Sequence, residues 1–94
     1  MEVEGQFVRS HRSKIDIIAD VLRKTGGGAR KTQIMYGCNL SFKQLQNYLK
    51  FLLDRGLLRR VTERKGVDSR SFKTTRKGNS LLRAYDRLRV LISD

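Results

Sequence analysis

A mainly α fold with one small β-hairpin is what this sequence predicts, and three observations predict it. The stretch from Lys31 to Phe42 passes through a short helical run, a Gly-containing turn and a newly capped second helix. The segment after Gly56 switches to strand-like spacing, interrupted by one polar, basic turn. Beyond Thr75, apolar residues recur at helical intervals almost to the end of the chain.

Residues 1–12 mix charge, Gly5 and isolated apolar residues without a period, so a flexible N-terminal arm is expected, with Arg9, His11 and Arg12 able to touch phosphate. Ser13 before Lys14, Ile15 and Asp16 reads as an N-cap followed by an acid in the first turn. Ile15, Ile18, Val21 and Leu22 follow at helical spacing, Ile17 and Ala19 widen the apolar arc, and Gly26–Gly27–Gly28 ends the helix. That width suits a helix in the middle of a three-helix core.

Residues 29–36 are expected to form a second, short helix with Ile34 and Met35 inward and Arg30 and Lys31 near its start. Gly37 and Cys38 lie in the turn. Ser41 is placed to accept the first free backbone N–H groups of the next helix, and Gln44 can reach back to complete a capping box. The third helix spans residues 42–54. At 100° per residue, Phe42, Tyr48, Leu49, Leu52 and Leu53 fall within about 80° of Leu45 and are expected to be buried. Lys43, Asn47 and Lys50 fall opposite, with Gln44 and Gln46 flanking. Phe51 lies outside the buried arc and is expected to pack on the hairpin or the last helix. Gly56 sits just past the helix end, where glycine is favoured.

Residues 57–63 carry Leu57, Leu58 and Val61 in a strand-like pattern, residues 64–70 form a basic loop, and residues 71–74 return with Phe72 inward. Two strands joined by a basic loop after a helix-turn-helix are a wing, which makes residues 13–75 a winged helix-turn-helix. Thr75 caps a last helix in which Leu81, Tyr85, Leu88 and Ile92 repeat at 4-3-4 spacing, flanked by Leu82 and Leu91. The arc is broader than one contact with the core needs. Residues 76–94 are therefore expected to be a dimerisation helix of the same domain.

Twenty-one Lys plus Arg against nine Asp plus Glu leave a net charge of +12 on 94 residues. A charge so one-sided attracts polyanions, because each neutralised phosphate releases condensed counterions. There is no apolar run of membrane-spanning length and no signal-peptide core, so a soluble, cytoplasmic, nucleoid-associated protein is expected. One cysteine forms no internal disulfide and one histidine anchors no zinc cluster, so no metal or cofactor is expected, and Cys38 reads as a small buried apolar residue. No small-molecule effector is evident. An enzyme is the least favoured class: no Ser-His-acid set is present, and the triple glycine lacks the Lys-Ser/Thr of a phosphate-binding loop.

The chain resembles a family of small archaeal winged-helix DNA-binding proteins that dimerise through an antiparallel coiled coil of their C-terminal helices. The matching residues are Lys31–Thr32–Gln33–Ile34–Met35–Tyr36–Gly37–Cys38–Asn39–Leu40–Ser41, the segment from Tyr48–Leu49–Lys50 to Asp54–Arg55–Gly56–Leu57–Leu58, and Thr75–Arg76–Lys77–Gly78. The resemblance covers about residues 13–92 and implies a dimeric DNA-binding protein of regulator or chromatin type. The family's coiled coils are longer than the helix available before Asp94, which points to a weaker dimer or one built partly from other surfaces such as the first helix.

The expected partner is double-stranded DNA, bound by a homodimer acting as a transcriptional regulator or nucleoid protein. Ser41, Lys43, Gln44, Gln46, Asn47 and Lys50 are the candidates on the recognition helix, since Gln and Asn pair bidentately with adenine and Lys with guanine or phosphate. Arg30, Lys31, Arg64, Lys65 and Arg70 are the backbone candidates, the last three from the wing. Leu81, Leu82, Tyr85, Leu88, Leu91 and Ile92 are the dimerisation candidates. Two alternatives stand beside this reading. A winged helix also serves as a protein-interaction module, with Phe51 as the anchor. RNA binding is disfavoured because the aromatic residues mostly occupy apolar positions and offer no stacking platform.

Overall fold

The computed structural model describes residues 12–62 and 70–93. Most of the expected arm and the hairpin loop with Arg64 and Lys65 lie outside the described residues. Within them the chain forms α1 (Lys14–Lys24), α2 (Lys31–Gly37), α3 (Phe42–Asp54), β1 (Leu58–Thr62), β2 (Arg70–Thr74) and α4 (Arg76–Ile92). The mainly helical architecture with one antiparallel hairpin is the one the sequence predicts.

Helix α1 starts where the Ser13 cap places it. The Ser13 hydroxyl accepts from the Asp16 N–H at 3.2 Å, and the Asp16 carboxylate accepts from the Ser13 N–H at 3.0 Å, a complete capping box. Such a cap stabilises a helix by about 1 kcal/mol. Ile17, Ile18, Val21 and Leu22 are buried, whereas Ile15, counted with the apolar face, is 43% exposed. It sits in the first turn of α1.

The second helix begins two residues later than expected. Gly28, at φ 99°, redirects the chain so that Ala29 is extended and pairs with Phe72: the Ala29 N–H donates to the Phe72 carbonyl at 3.0 Å and the Phe72 N–H to the Ala29 carbonyl at 2.8 Å. Ala29 thus extends the hairpin as a one-residue third strand, and burial against Phe72 outweighs its helix propensity. At the far end, the left-handed residue is Asn39 (φ 56°), two positions after Gly37. The Asn39 N–H donates to the Tyr36 carbonyl and the Leu40 N–H to the Met35 carbonyl, the paired bonds of a Schellman cap. Asparagine tolerates this conformation, so Gly37 is not needed for it. The end of α3 repeats the motif with Gly56 at φ 70°, closed by the Leu57 N–H to Leu52 carbonyl bond at 2.9 Å.

Strands β1 and β2 pair antiparallel with Leu58 opposite Thr74 and Arg60 opposite Phe72. The core lies between α1, α2, α3 and the hairpin, centred on Leu22, Ile34, Leu45 and Leu52, with Phe72 closing it from the sheet. Fully burying side chains of this size contributes about 1.5–3 kcal/mol each. Two buried threonines tie the sheet to α1. The Thr74 hydroxyl donates to the Leu22 carbonyl at 2.6 Å and lies 2.7 Å from the Thr25 hydroxyl, which reaches the Val21 carbonyl at 2.8 Å. Each buried hydroxyl is hydrogen-bonded, as burial requires.

Helix α4 is capped by Thr75, whose hydroxyl accepts from the Gly78 N–H at 3.0 Å and donates its proton to the Gly56 carbonyl at 2.6 Å. Gly78 lets α4 lie directly on the chain leaving α3. A Cβ there would overlap the Leu57 carbonyl and lie 2.6 Å from the Thr74 methyl, so no side chain fits without a backbone shift. Leu81 and Leu82 are half-buried against the chain's own core. Tyr85 donates its hydroxyl to Asp16 on α1, and Arg23 of α1 holds Asp86 through two bonds of 3.1 and 3.2 Å. Beyond this joint the helix leaves the body: Leu88, Val90, Leu91 and Ile92 are 57–74% exposed. The apolar arc read from the sequence is therefore divided, its first turns covered within the chain and its last turns bare.

Candidate nucleic-acid interface

Helix α3 is held to the core by Leu45, Leu49 and Leu52, and this fixes which residues point outward. Lys43, Gln46, Asn47 and Lys50 are all exposed, as the helical spacing requires. Ser41 and Gln44 form the capping box: the Ser41 hydroxyl accepts from the Gln44 N–H at 3.1 Å, and the Gln44 side-chain carbonyl accepts from the Ser41 N–H at 2.9 Å. Their acceptor oxygens are thus committed to the helix start, which leaves the hydroxyl proton and the Gln44 amide N–H groups to face outward. Lys50 pairs with Asp54 at 3.0 Å one turn on. An exposed pair at that spacing is worth about 0.3–0.5 kcal/mol, little enough for Lys50 to exchange it for a phosphate.

A groove of about 460 Å³ runs between α3 and the hairpin. Lys31, Gln46, Asn47, Lys50, Asp54 and Arg60 line it, over an apolar floor of Leu49, Leu53 and Phe72. A second cleft of about 370 Å³ continues past Phe72 and is lined by Arg30, Lys31, Thr32 and Arg70. Cations from α2, α3 and both strands therefore meet along one face. Lys31 belongs to both clefts.

Arg60 lines this groove although the sequence did not single it out. It directly opposes Phe72, and opposed residues on an antiparallel pair share a face, so its guanidinium lies over the Phe72 ring at 6.0 Å from the centroid. The inward assignment of Phe72 held the signal, since its partner across the hairpin must emerge on the α3 side.

Arg12, Phe42 and Phe51 lie elsewhere than the sequence predicts. Arg12, expected to be free for phosphate, donates to Asp20 at 2.9 Å and to the Cys38 carbonyl at 2.9 Å, so it staples α1 to the turn before α3. Phe42, expected in the buried arc, is 62% exposed. It begins α3, and its side chain leans toward the N-terminal end of the helix, where no preceding turn and no core residue cover it. Phe51 takes a third position, lining a groove of about 350 Å³ between α1 and α3 with Lys14, Ile18, Gln44, Asn47 and Tyr48. The Arg55 guanidinium covers its ring at 3.9 Å.

Titratable groups elsewhere have structural roles. The Tyr85 hydroxyl, then the Ser13 N–H, hold the Asp16 carboxyl below the usual carboxylate range. Burial, followed by the hydrogen bond to Asp16, pushes Tyr85 up. Burial also raises the Cys38 thiol, which at 3% exposure is the small core residue expected. Among the described residues, no group of three His, Cys, Asp or Glu side chains is arranged to hold a metal, and no helix is long and apolar enough to cross a membrane.

A three-helix core, a capped turn into α3 and a hairpin flanking that helix define the winged helix-turn-helix class. A sequence model of the winged helix-turn-helix family matches residues 11–93, and the chain belongs to that family. An uncharacterized protein of Methanocaldococcus jannaschii is 35% identical over 82 residues, which are 86% of this chain. The chain spans 36% of that relative's length. The crystal structure of Sso10a-2, a DNA-binding protein from Sulfolobus solfataricus, superposes with a TM-score of 0.74 at 26% identity, covering 85% of this chain and 81% of that one. A mutant of S. aureus MepR shares the fold with a TM-score of 0.68 at 12% identity, over 93% of this chain and 65% of that one.

Proposed function

We propose that this protein binds double-stranded DNA as a homodimer, as a transcriptional regulator or nucleoid-associated protein without chemistry of its own. The observation that carries the reading is the groove between α3 and the hairpin, where Lys31, Lys50 and Arg60 flank the exposed amides of Gln46 and Asn47. Cations hold the sugar-phosphate backbone, and amides set on a helix face between them read base edges in the major groove. The DNA-binding neighbour Sso10a-2 supports this at the level of the fold. The homodimer is supported by the bare last turns of α4, where four large apolar side chains occur within five residues.

Two substitutions separate the roles within the groove. Asn47→Ala is expected to relax sequence preference, at a cost of about 1–3 kcal/mol at the base it reads and little on random duplexes. Arg60→Ala is expected to weaken all duplexes alike and to lower the salt dependence by about one phosphate. Both side chains are exposed and outside the core, so the fold is retained. Equal losses on preferred and random DNA from Asn47→Ala would remove that residue from base reading.

A further inference from the structure

Phe42 is a large apolar side chain at the start of α3, 62% exposed, with the exposed Ser41, Lys43 and Gln44 as its chain neighbours. It adds little to the core, which is closed beneath α3 by Leu45, Leu49 and Leu52. Gln46 lies one turn further along the same face, at the i+4 spacing that makes neighbours on a helix. Because helical side chains lean toward the N-terminus, the ring projects over the leading end of α3. In a helix-turn-helix it is this leading end of the second helix that meets base edges.

Base edges in the major groove are hydrogen-bond donors and acceptors with one apolar exception, the C5 methyl of thymine. A bare aromatic ring at the leading end of the helix has no hydrogen bond to offer and gains only by covering that methyl. We infer that Phe42 is a specificity-determining residue that reads a thymine methyl. Gln46 beside it is able to pair with the N6 and N7 groups of adenine, so the two together favour an A·T-containing step. The inference rests on the DNA-binding reading and adds to it the base chemistry that the leading end of α3 selects.

The test uses the full chain and a duplex that it protects in footprinting, together with copies in which each thymine in turn is replaced by deoxyuridine. That replacement removes only the methyl. The unmodified protein is expected to lose about four-fold in affinity at one or two positions and nothing at the others, as for exposing one methyl-sized group. Phe42→Ala is expected to bind thymine and uracil duplexes equally, and Phe42→Leu to keep part of the difference. An unchanged unfolding midpoint in both variants excludes a folding defect. Equal affinity of the unmodified protein for thymine and uracil at every position overturns the inference, and so does a uracil penalty that survives in Phe42→Ala. A Phe42→Ala loss confined to single strands overturns it in favour of stacking on unpaired bases. Failure of the unmodified protein to bind any duplex overturns the DNA-binding reading itself, an outcome distinct from duplex binding that ignores the methyl.

Discussion

Duplex affinity is expected to fall about 10³–10⁵-fold between 50 and 200 mM salt, the range for a protein that neutralises about 6–10 phosphates. The net charge of +12 supplies the attraction, and its placement decides how much of it is used. Arg30 and Lys31 stand at the start of α2, Lys50 on α3, and Arg60 and Arg70 on the two strands, all around connected clefts. Two copies of that set on one duplex reach the upper part of the contact range. A fluorescence-anisotropy titration at several salt concentrations measures the slope directly. A flat salt dependence would mean that these cations face something other than a phosphate backbone.

The second large effect concerns assembly. Leu88 and Ile92 are 57% and 74% exposed, while the earlier turns of α4 are fastened to α1 through Tyr85, Asp16, Arg23 and Asp86. Charged residues at 88 and 92 therefore leave the core and the α1–α4 joint intact and remove only the bare apolar end. The double variant is expected to stay folded by circular dichroism and to sediment as a monomer. Its DNA affinity should drop by about 10²–10⁴, because the second domain no longer binds at the high effective concentration that linkage provides. An unmodified chain that sediments as a monomer at micromolar concentration would contradict the dimer.

The boundaries of α3 and the cap of α4 were readable from Ser41, Gln44, Gly56 and Thr75 because caps act locally: each places one side chain on the next free N–H or relieves one left-handed residue. Phe72 was readable as an inward residue of the hairpin. Three features were not, because each depends on contacts distant in sequence. Ala29 leaves helical geometry only because Phe72, far along the chain, offers it two backbone hydrogen bonds. Thr25 and Thr74 look like ordinary turn and strand residues until the fold brings their hydroxyls together. Arg12 acquires partners only when the α2–α3 turn packs beside α1.

Ile15 and Phe42 failed for a different reason. Angular position on a helix places both on the apolar side, yet each lies within the first two residues of its helix and is left exposed. An angle around the axis carries no information about position along it. The same limit applies to α4, where Leu81 and Leu88 share an arc but only Leu81 is packed on the core. Val90, 71% exposed, escaped the sequence reading because it falls outside the 4-3-4 repeat. Among the groove residues, Gln46, Asn47 and Lys50 were legible from helical spacing and Lys31 from its place near the start of the second helix, whereas Arg60 needed the hairpin register.

Entry of α3 into the major groove of a duplex is directly measurable. Dimethyl sulfate methylates guanine at N7, in the major groove, and adenine at N3, in the minor groove, so protection of a footprinted duplex distinguishes the two. Protection is expected at guanine N7 positions within the bound site, lost when Asn47 and Lys50 are both replaced by alanine. Protection confined to adenine N3, with guanine N7 fully reactive across the site, would place α3 outside the major groove.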